Sequence, residues 1–201
     1  MNRISKGMGV TAALVLGLCV AGLGWAQDVK KPQSPEALMK ALAEAGKPGA
    51  EHRKLEPFVG DWTFTMKLWA NPNQPPAEVQ GTVQRKWIMG GRFVQETVQV
   101  THNGKTCEGL GLLGYDNAQK RFTATRACGV CGTVCSCTGT CSDSGKKFEF
   151  AKEECCPLSG EKVKGRDELV IESKDRIVLN VFKTLEGKEV KVMEIVSTRK
   201  K

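Results

Sequence analysis

The sequence reads as an all-β protein, an antiparallel meander of about ten strands closed into a barrel. Three observations carry this. From Gly60 onward apolar and polar residues alternate, the two-residue period of a sheet with one buried face. Turn residues interrupt the alternation about every 8–12 positions, the spacing of short strands in a sandwich or barrel. The interruptions are short, with Gly90-Gly91, Asn103-Gly104, Asp116-Asn117, Ser144-Gly145, Lys174-Asp175 and Glu186-Gly187 among them, so sequence neighbours pair as hairpins. A meander of so many strands removes its exposed edges by closing.

The amino terminus reads as a signal peptide over residues 1–26. Arg3 and Lys6 form a basic start, Met8 to Ala21 is apolar and small, and Gly24-Trp25-Ala26 supplies the small residues of a cleavage site. The apolar run falls short of the ~20 residues that span a bilayer, so no stable membrane span is expected once the leader is removed. Cys19 follows Leu18, where lipid attachment wants a smaller residue. The expectation is an exported protein, periplasmic or extracellular.

Residues 27–50 read as a linker and a short helix. Gln27 to Pro35 is a polar tether. Pro35 to Ala45 has Ser34 as N-cap, Pro35 at the first helical position, Gly46 as the stop, and Leu38, Leu42 and Ala45 on one face. A second helix is expected over Gly49 to Phe58, with His52, Leu55 and Phe58 three residues apart as the face of a lid. His52 reads as a structural histidine at a helix boundary.

The barrel domain is assigned to residues 51–201. Its strands are expected at Asp61–Trp69, Glu78–Met89, Phe93–Thr101, Thr106–Tyr115, Arg121–Cys128, Thr133–Cys141, Lys147–Cys155, Lys162–Ser173, Arg176–Thr184 and Lys188–Arg199. Glu194 is expected to share a face with Val190, Val192 and Val196, as a buried carboxylate paired with Arg166 or Arg126.

Charge argues for a solvated surface. The formal net charge is +8, but basic and acidic residues interleave, and the clusters Lys30-Lys31 and Arg199-Lys200-Lys201 have few aromatics beside them to stack bases. Nucleic acid is not an expected partner. Nucleophile elbows, His-Glu-x-x-His zinc motifs and phosphate loops are all missing from the chain, which leans the reading away from an enzyme.

Seven of the nine cysteines fall between Cys128 and Cys156. In an exported chain, disulfides are the first reading. Cys131, Cys135, Cys137 and Cys141 share a strand parity that is expected to face inward. Cys135 and Cys137, on one face of one strand, stand ~6.6–7 Å apart, at the limit for a bridge, and the adjacent Cys155-Cys156 pair is strained as a ring. Partners are therefore sought on other strands: Cys107 with Cys128 across the hairpin at Asn117, and Cys131 with Cys156. With a turn near Asp143 to Gly145, Cys137 is expected opposite Phe150. The competing chemistry is a metal, since grouped thiolates suit zinc, copper(I) or an iron-sulfur cluster. A third reading is a redox pair at Cys128-Gly-Val-Cys131, without the βαβ surroundings of thioredoxin-like proteins.

The stretches FVGDW, KWIMGGRFVQE, GLGLLGYDN and KVMEIVSTRK give the chain from Glu51 to Lys201 a resemblance to the bacterial family called domain of unknown function 1579. That family is similar to the calycin barrels, lipocalin-like and nitrobindin-like, so the resemblance implies a closed barrel with a helical plug that holds a small apolar ligand, and implies no reaction. Gly60, Trp62 and Arg199 match in kind the lipocalin-like trio in which an arginine of the last strand stacks on an indole, which implies a role in closing the barrel floor. Nitrobindin-like relatives hold haem through a histidine near the carboxyl end. This chain has only His52 and His102, which argues against haem. The cysteine-rich segment departs from the family, with Thr125-Arg126-Ala127-Cys128 where Thr-Trp-x-Asp is usual.

The sequence thus leads to a binding barrel for a small hydrophobic molecule, with Trp87, Val170 and Leu179 expected in its pocket and Cys107, Cys128, Cys131, Cys135, Cys137, Cys155 and Cys156 in a patch at one end. The alternative is a thiol-rich metal or redox protein on the same barrel. Nothing in the sequence signals an oligomeric state.

Overall fold

The structure, a computed structural model, describes residues 34–71, 73–102 and 104–201. The segment expected to be a leader and most of the expected tether lie outside the described residues. Helix α1 (Pro35–Ala45) lies mostly in a first unit that ends at Leu42. The Ala37 amide donates to Ser34 Oγ at 3.1 Å, which caps the helix, and none of its residues is buried.

The second unit begins at Ala43 and holds α2 (Ala50–Arg53), a 3-10 turn (Glu56–Phe58) and ten strands. These are β1 (Gly60–Leu68), β2 (Ala77–Ile88), β3 (Phe93–His102), β4 (Lys105–Asp116), β5 (Arg121–Cys128), β6 (Val134–Cys141), β7 (Lys147–Cys155), β8 (Lys162–Ser173), β9 (Arg176–Leu185) and β10 (Lys188–Arg199). Each strand pairs antiparallel with its neighbours in sequence, and β1 pairs with β10 to close the barrel. Among the described residues, no helix is long and apolar enough to cross a membrane.

The single helix expected over Gly49 to Phe58 is two short pieces. Pro57 has no amide hydrogen to continue an α-helix, so the chain leaves α2 and re-forms as a 3-10 turn around the proline. This broken segment plugs one end of the barrel. Leu55 and Phe58 are fully buried there, in a core with Trp62, Leu113, Phe122 and Phe148. The Phe58, Phe148, Phe122 and Tyr115 rings meet edge to face in series, with centroids 5.0–5.3 Å apart, and the buried His52 ring extends the series to 5.7 Å from Tyr115. His52 Nδ1 accepts from the Gly49 amide at 3.1 Å, so the imidazole caps the turn that precedes it.

Trp62 and Arg199 face each other across the β1–β10 seam. The guanidinium carbon lies 4.1 Å from the indole ring centroid. Arg199 donates to the carbonyls of Val59, Pro57 and Lys174 at 2.6, 2.8 and 2.9 Å, while Trp62 Nε1 donates to the Phe58 carbonyl at 2.9 Å. The last strand is thereby tied to the plug. Gly60 is required at this point: its φ is +128°, and a Cβ there would stand 2.4 Å from Arg199 Nη1.

Two registers differ from the sequence reading. Phe150 faces Gly139 rather than Cys137, because the β6–β7 connection closes through Ser142 and Lys147 and shifts the pairing by two residues. Cys128 faces Gly109, which leaves Cys107 two residues away along β4. Glu194 is not a buried partner of Arg126 or Arg166. It faces Lys67 and Asn180 on the outer surface and pairs with Lys191, after a bulge between Lys191 and Met193 interrupts the alternation of β10.

Candidate functional site

Beyond the aromatic core, towards the end opposite the plug, the barrel is hollow. The cavity measures about 310 Å³. Phe64, Met66, Val98, Val100, Leu179 and Ile195 are among its walls, Cys107, Cys128 and Val130 stand at its mouth, and Arg85, Glu96, Arg126 and Ser197 line its floor. Along this cavity β4 puts glycine inward at two places. Gly109 leaves open space beside Val98, and Gly111 makes room for Glu96, whose Oε2 would lie 2.6 Å from a Cβ at that position. A wider depression on the outer face of β1, β2 and β10 is lined by groups such as Thr63, Thr65, Gln80, Thr82 and Thr198. It is polar and open, and lacks the apolar enclosure of a small-molecule site.

The floor is ionic. Arg85 Nε donates to Glu96 Oε1 at 2.6 Å, Glu96 Oε2 lies 3.7 Å from Arg126 Nε, and Arg126 Nη1 meets Asp167 Oδ2 at 3.1 Å. Asp167 Oδ1 lies 2.9 Å from Lys152 Nζ, close enough for an ion pair but without hydrogen-bond alignment. Glu154 continues the chain to Lys183 at the rim. Burial, the largest influence on the Glu96 carboxyl, pushes its pKa up, but Arg85 and Arg126 together outweigh it and hold it below the ordinary carboxylate range. Burial acts to lower Lys152, and Asp167 and Glu154 prevail, so its pKa is raised and the ammonium is kept. These charges lay in the sequence at inward parity, Arg85 between Val83 and Trp87 and Glu96 between Val94 and Val98. That signal was available, and a charge on the apolar face of a strand is the form it takes.

All eight cysteines of the described residues are free thiols. The up-and-down course of the strands brings Cys107, Cys128, Cys131, Cys135, Cys155 and Cys156 to the mouth end without joining them into one cluster, and Cys141 lies at the plug end. The expected Cys107–Cys128 bridge is not formed, since the register sets the two diagonally apart, and the Cys131–Cys156 bridge is not formed either. Among the described residues no three His, Cys, Asp or Glu side chains converge as metal ligands.

The thiols fall into two chemical kinds. Cys137 is buried inside the barrel, its Sγ 3.5 Å from the Ala124 carbonyl, and burial pushes its pKa up to about 11. Burial also raises Cys135 and Cys141. Cys131 is exposed on the tight β5–β6 turn, where Gly132 has a φ of +66° and donates its amide to the Cys128 carbonyl. The Thr133 hydroxyl, 3.0 Å from Cys131 Sγ, and the Cys128 thiol both bond to that sulfur and hold its pKa below the ordinary thiol range.

Of the expected pocket residues, Leu179 lines the cavity, while Trp87 and Val170 do not. Trp87 packs against the core and donates its Nε1 to Glu56 Oε2 at 2.6 Å, on the plug side. Val170 faces Val178 on the outer surface of β8, and its neighbours Leu169 and Ile171 take the inward positions. A run of apolar residues in β8 left the parity open to misreading.

Fold and cavity together define a closed ten-stranded antiparallel β-barrel with a hollow that opens at one end. The chain belongs to the family described as Protein of unknown function (DUF1579), which it matches over residues 47–199. Among solved structures it is similar to Rv2717c from M. tuberculosis, with 17% identity and a TM-score of 0.58 over 77% of this chain and 100% of that one. A second likeness, to EF1p2_mFAP2b bound to DFHBI, has 11% identity and a TM-score of 0.41 over 75% of this chain and 100% of that one, too distant to bear on the ligand here. No curated protein matches the chain.

Proposed function

We propose that this protein is an exported binding barrel that holds a small hydrophobic molecule in its end-opening cavity. The observation that carries the reading is the largely apolar hollow of about 310 Å³, open at one end, near the lower end of the ~300–1,000 Å³ range of ligand sites. Export rests on the leader-like residues 1–26. The test is saturable binding of a neutral apolar dye, Nile red, and its displacement by decanol. Gly109→Leu, which fills the hollow from a position where a Cβ meets nothing closer than 3.4 Å, is expected to abolish binding while the barrel stays folded. Absence of saturable binding, or binding that survives this substitution, overturns the reading.

The second reading is thiol chemistry at the mouth, favoured by the geometry of Cys131. Its thiolate would attack a partner disulfide, and Cys128 would resolve the mixed disulfide, forming a Cys128–Cys131 bridge and releasing the partner as a dithiol. The stabilising bridge expected in an oxidising compartment then belongs to this pair rather than to Cys107 and Cys128. Intact mass of protein from its native compartment, with thiol counting and elemental analysis, separates bridge, metal and free thiols.

A further inference from the structure

We infer that the ligand of the cavity is a single-chain anionic amphiphile, whose carboxylate is taken by Arg85 at the floor while its hydrocarbon chain runs towards the mouth. The inference rests on the cavity reading above and adds the chemical class.

Arg85 is 9% exposed, and it lines the cavity. Its Nε is taken by Glu96, but its Nη1 is buried with no hydrogen-bond partner. A guanidinium donor left unpaired out of water is unfavourable, and buried polar groups in native proteins are nearly always satisfied. The partner it lacks is an acceptor.

The charge of the floor gives the same answer. From Arg85 the ion pairs alternate through Glu96, Arg126 and Asp167 to Lys152, three cations against two carboxylates, and the extension through Glu154 to Lys183 leaves the surplus unchanged. One positive charge therefore lacks a counterion. The nearby thiols do not supply it, because burial raises Cys135 and Cys137 and keeps both protonated. Glu96 is the wrong-signed neighbour for an incoming anion, but its charge is shared between Arg85 and Arg126. Arg85 is the buried end of this chain and lines the apolar vessel, where charge is costly unless paired, whereas Lys183 at the other end reaches the rim. A monoanion matches the surplus, while a neutral ligand leaves Nη1 unpaired if it brings no acceptor, and a cationic one adds to the excess. Ser197, also buried, lines the same floor. Above it the walls are mostly hydrocarbon, with the Cys107 and Cys128 thiols and the exposed Glu108 at the mouth, which asks for a chain rather than a second polar group.

The experiment is displacement of Nile red from the full chain by decanoate, decanol, decylamine and decyl phosphate. Decanoate is expected to bind about tenfold or more tighter than decanol, the value of a charge-assisted hydrogen bond in a buried site. Decylamine is expected not to compete, and decyl phosphate, whose second charge has no partner, to bind more weakly than decanoate. Arg85→Met is expected to bring decanoate down to the affinity of decanol while decanol is unchanged. Should that variant not fold, the ligand series on the unaltered protein still decides. Decanol binding as tightly as decanoate overturns this inference and leaves the cavity reading standing. Decanoate binding that persists in Gly109→Leu places the anion outside the barrel and overturns it too. Failure of every probe removes the cavity reading itself.

Discussion

Arg199 and Glu96 show how single side chains are placed by opposed forces. Arg199 spends its donors on three carbonyls of the plug and the β8–β9 turn and lays its face on Trp62. Arg199→Ala removes the stack and leaves those carbonyls short of donors, a loss of about 2–4 kcal/mol in denaturant unfolding, with affinity for a cavity ligand unchanged. A collapse of affinity at constant stability contradicts this closing role. Glu96 governs the acid limb. Its folded pKa is depressed by two guanidiniums, so its contribution is complete above the unfolded value of ~4.3 and is lost as pH falls through the lower folded value. Stability of the native protein is expected to fall more steeply below about pH 4 than that of Glu96→Gln, measured as unfolding free energy against pH. The Trp62–Arg199 pairing was suggested by family resemblance, whereas the ionic floor was not foreseen. Alternation shows which residues point inward, but not which charges meet across the lumen, because that depends on the stagger between strands.

At the level of strands and turns, alternation and turn residues were enough to locate all ten strands to within a residue or two, since hairpin connections leave little freedom. The cysteine geometry was less legible. A two-residue shift at the β6–β7 connection keeps every side chain on its face yet changes every cross-strand partner, so the inward parity of Cys135, Cys137 and Cys141 is legible while their neighbours are not. Cys131, expected inward with them, is exposed because it lies on the turn before β6 begins. The β5–β6 turn makes a separate, checkable statement. Cys131 is exposed and its thiolate is favoured by Thr133 and Cys128, and Cys156 is likewise lowered by hydrogen bonds at Ser159 and Leu158. Cys137 is buried with its pKa pushed up to about 11. Timed iodoacetamide labelling of reduced native protein with peptide mass analysis is expected to find Cys131 and Cys156 modified first and Cys137 last. Early labelling of Cys137 contradicts the buried placement.

For the barrel as a whole, one closed sheet has a tightly packed aromatic half and a hollow half, into which Gly109 of β4 sends no side chain. That asymmetry has a volumetric consequence. Unfolding eliminates internal voids, so the unfolded chain with its solvent occupies less volume than the native one, and hydrostatic pressure favours it in proportion to the void removed. The ligand-free barrel is therefore expected to unfold at lower pressure than either the Gly109→Leu protein or the barrel saturated with a cavity ligand. High-pressure tryptophan fluorescence measures the transition, and Trp62 reports from the packed half, the part that is compressed little before the sheet opens. Equal midpoints for the three forms would mean that the hollow is already filled with water under ambient conditions.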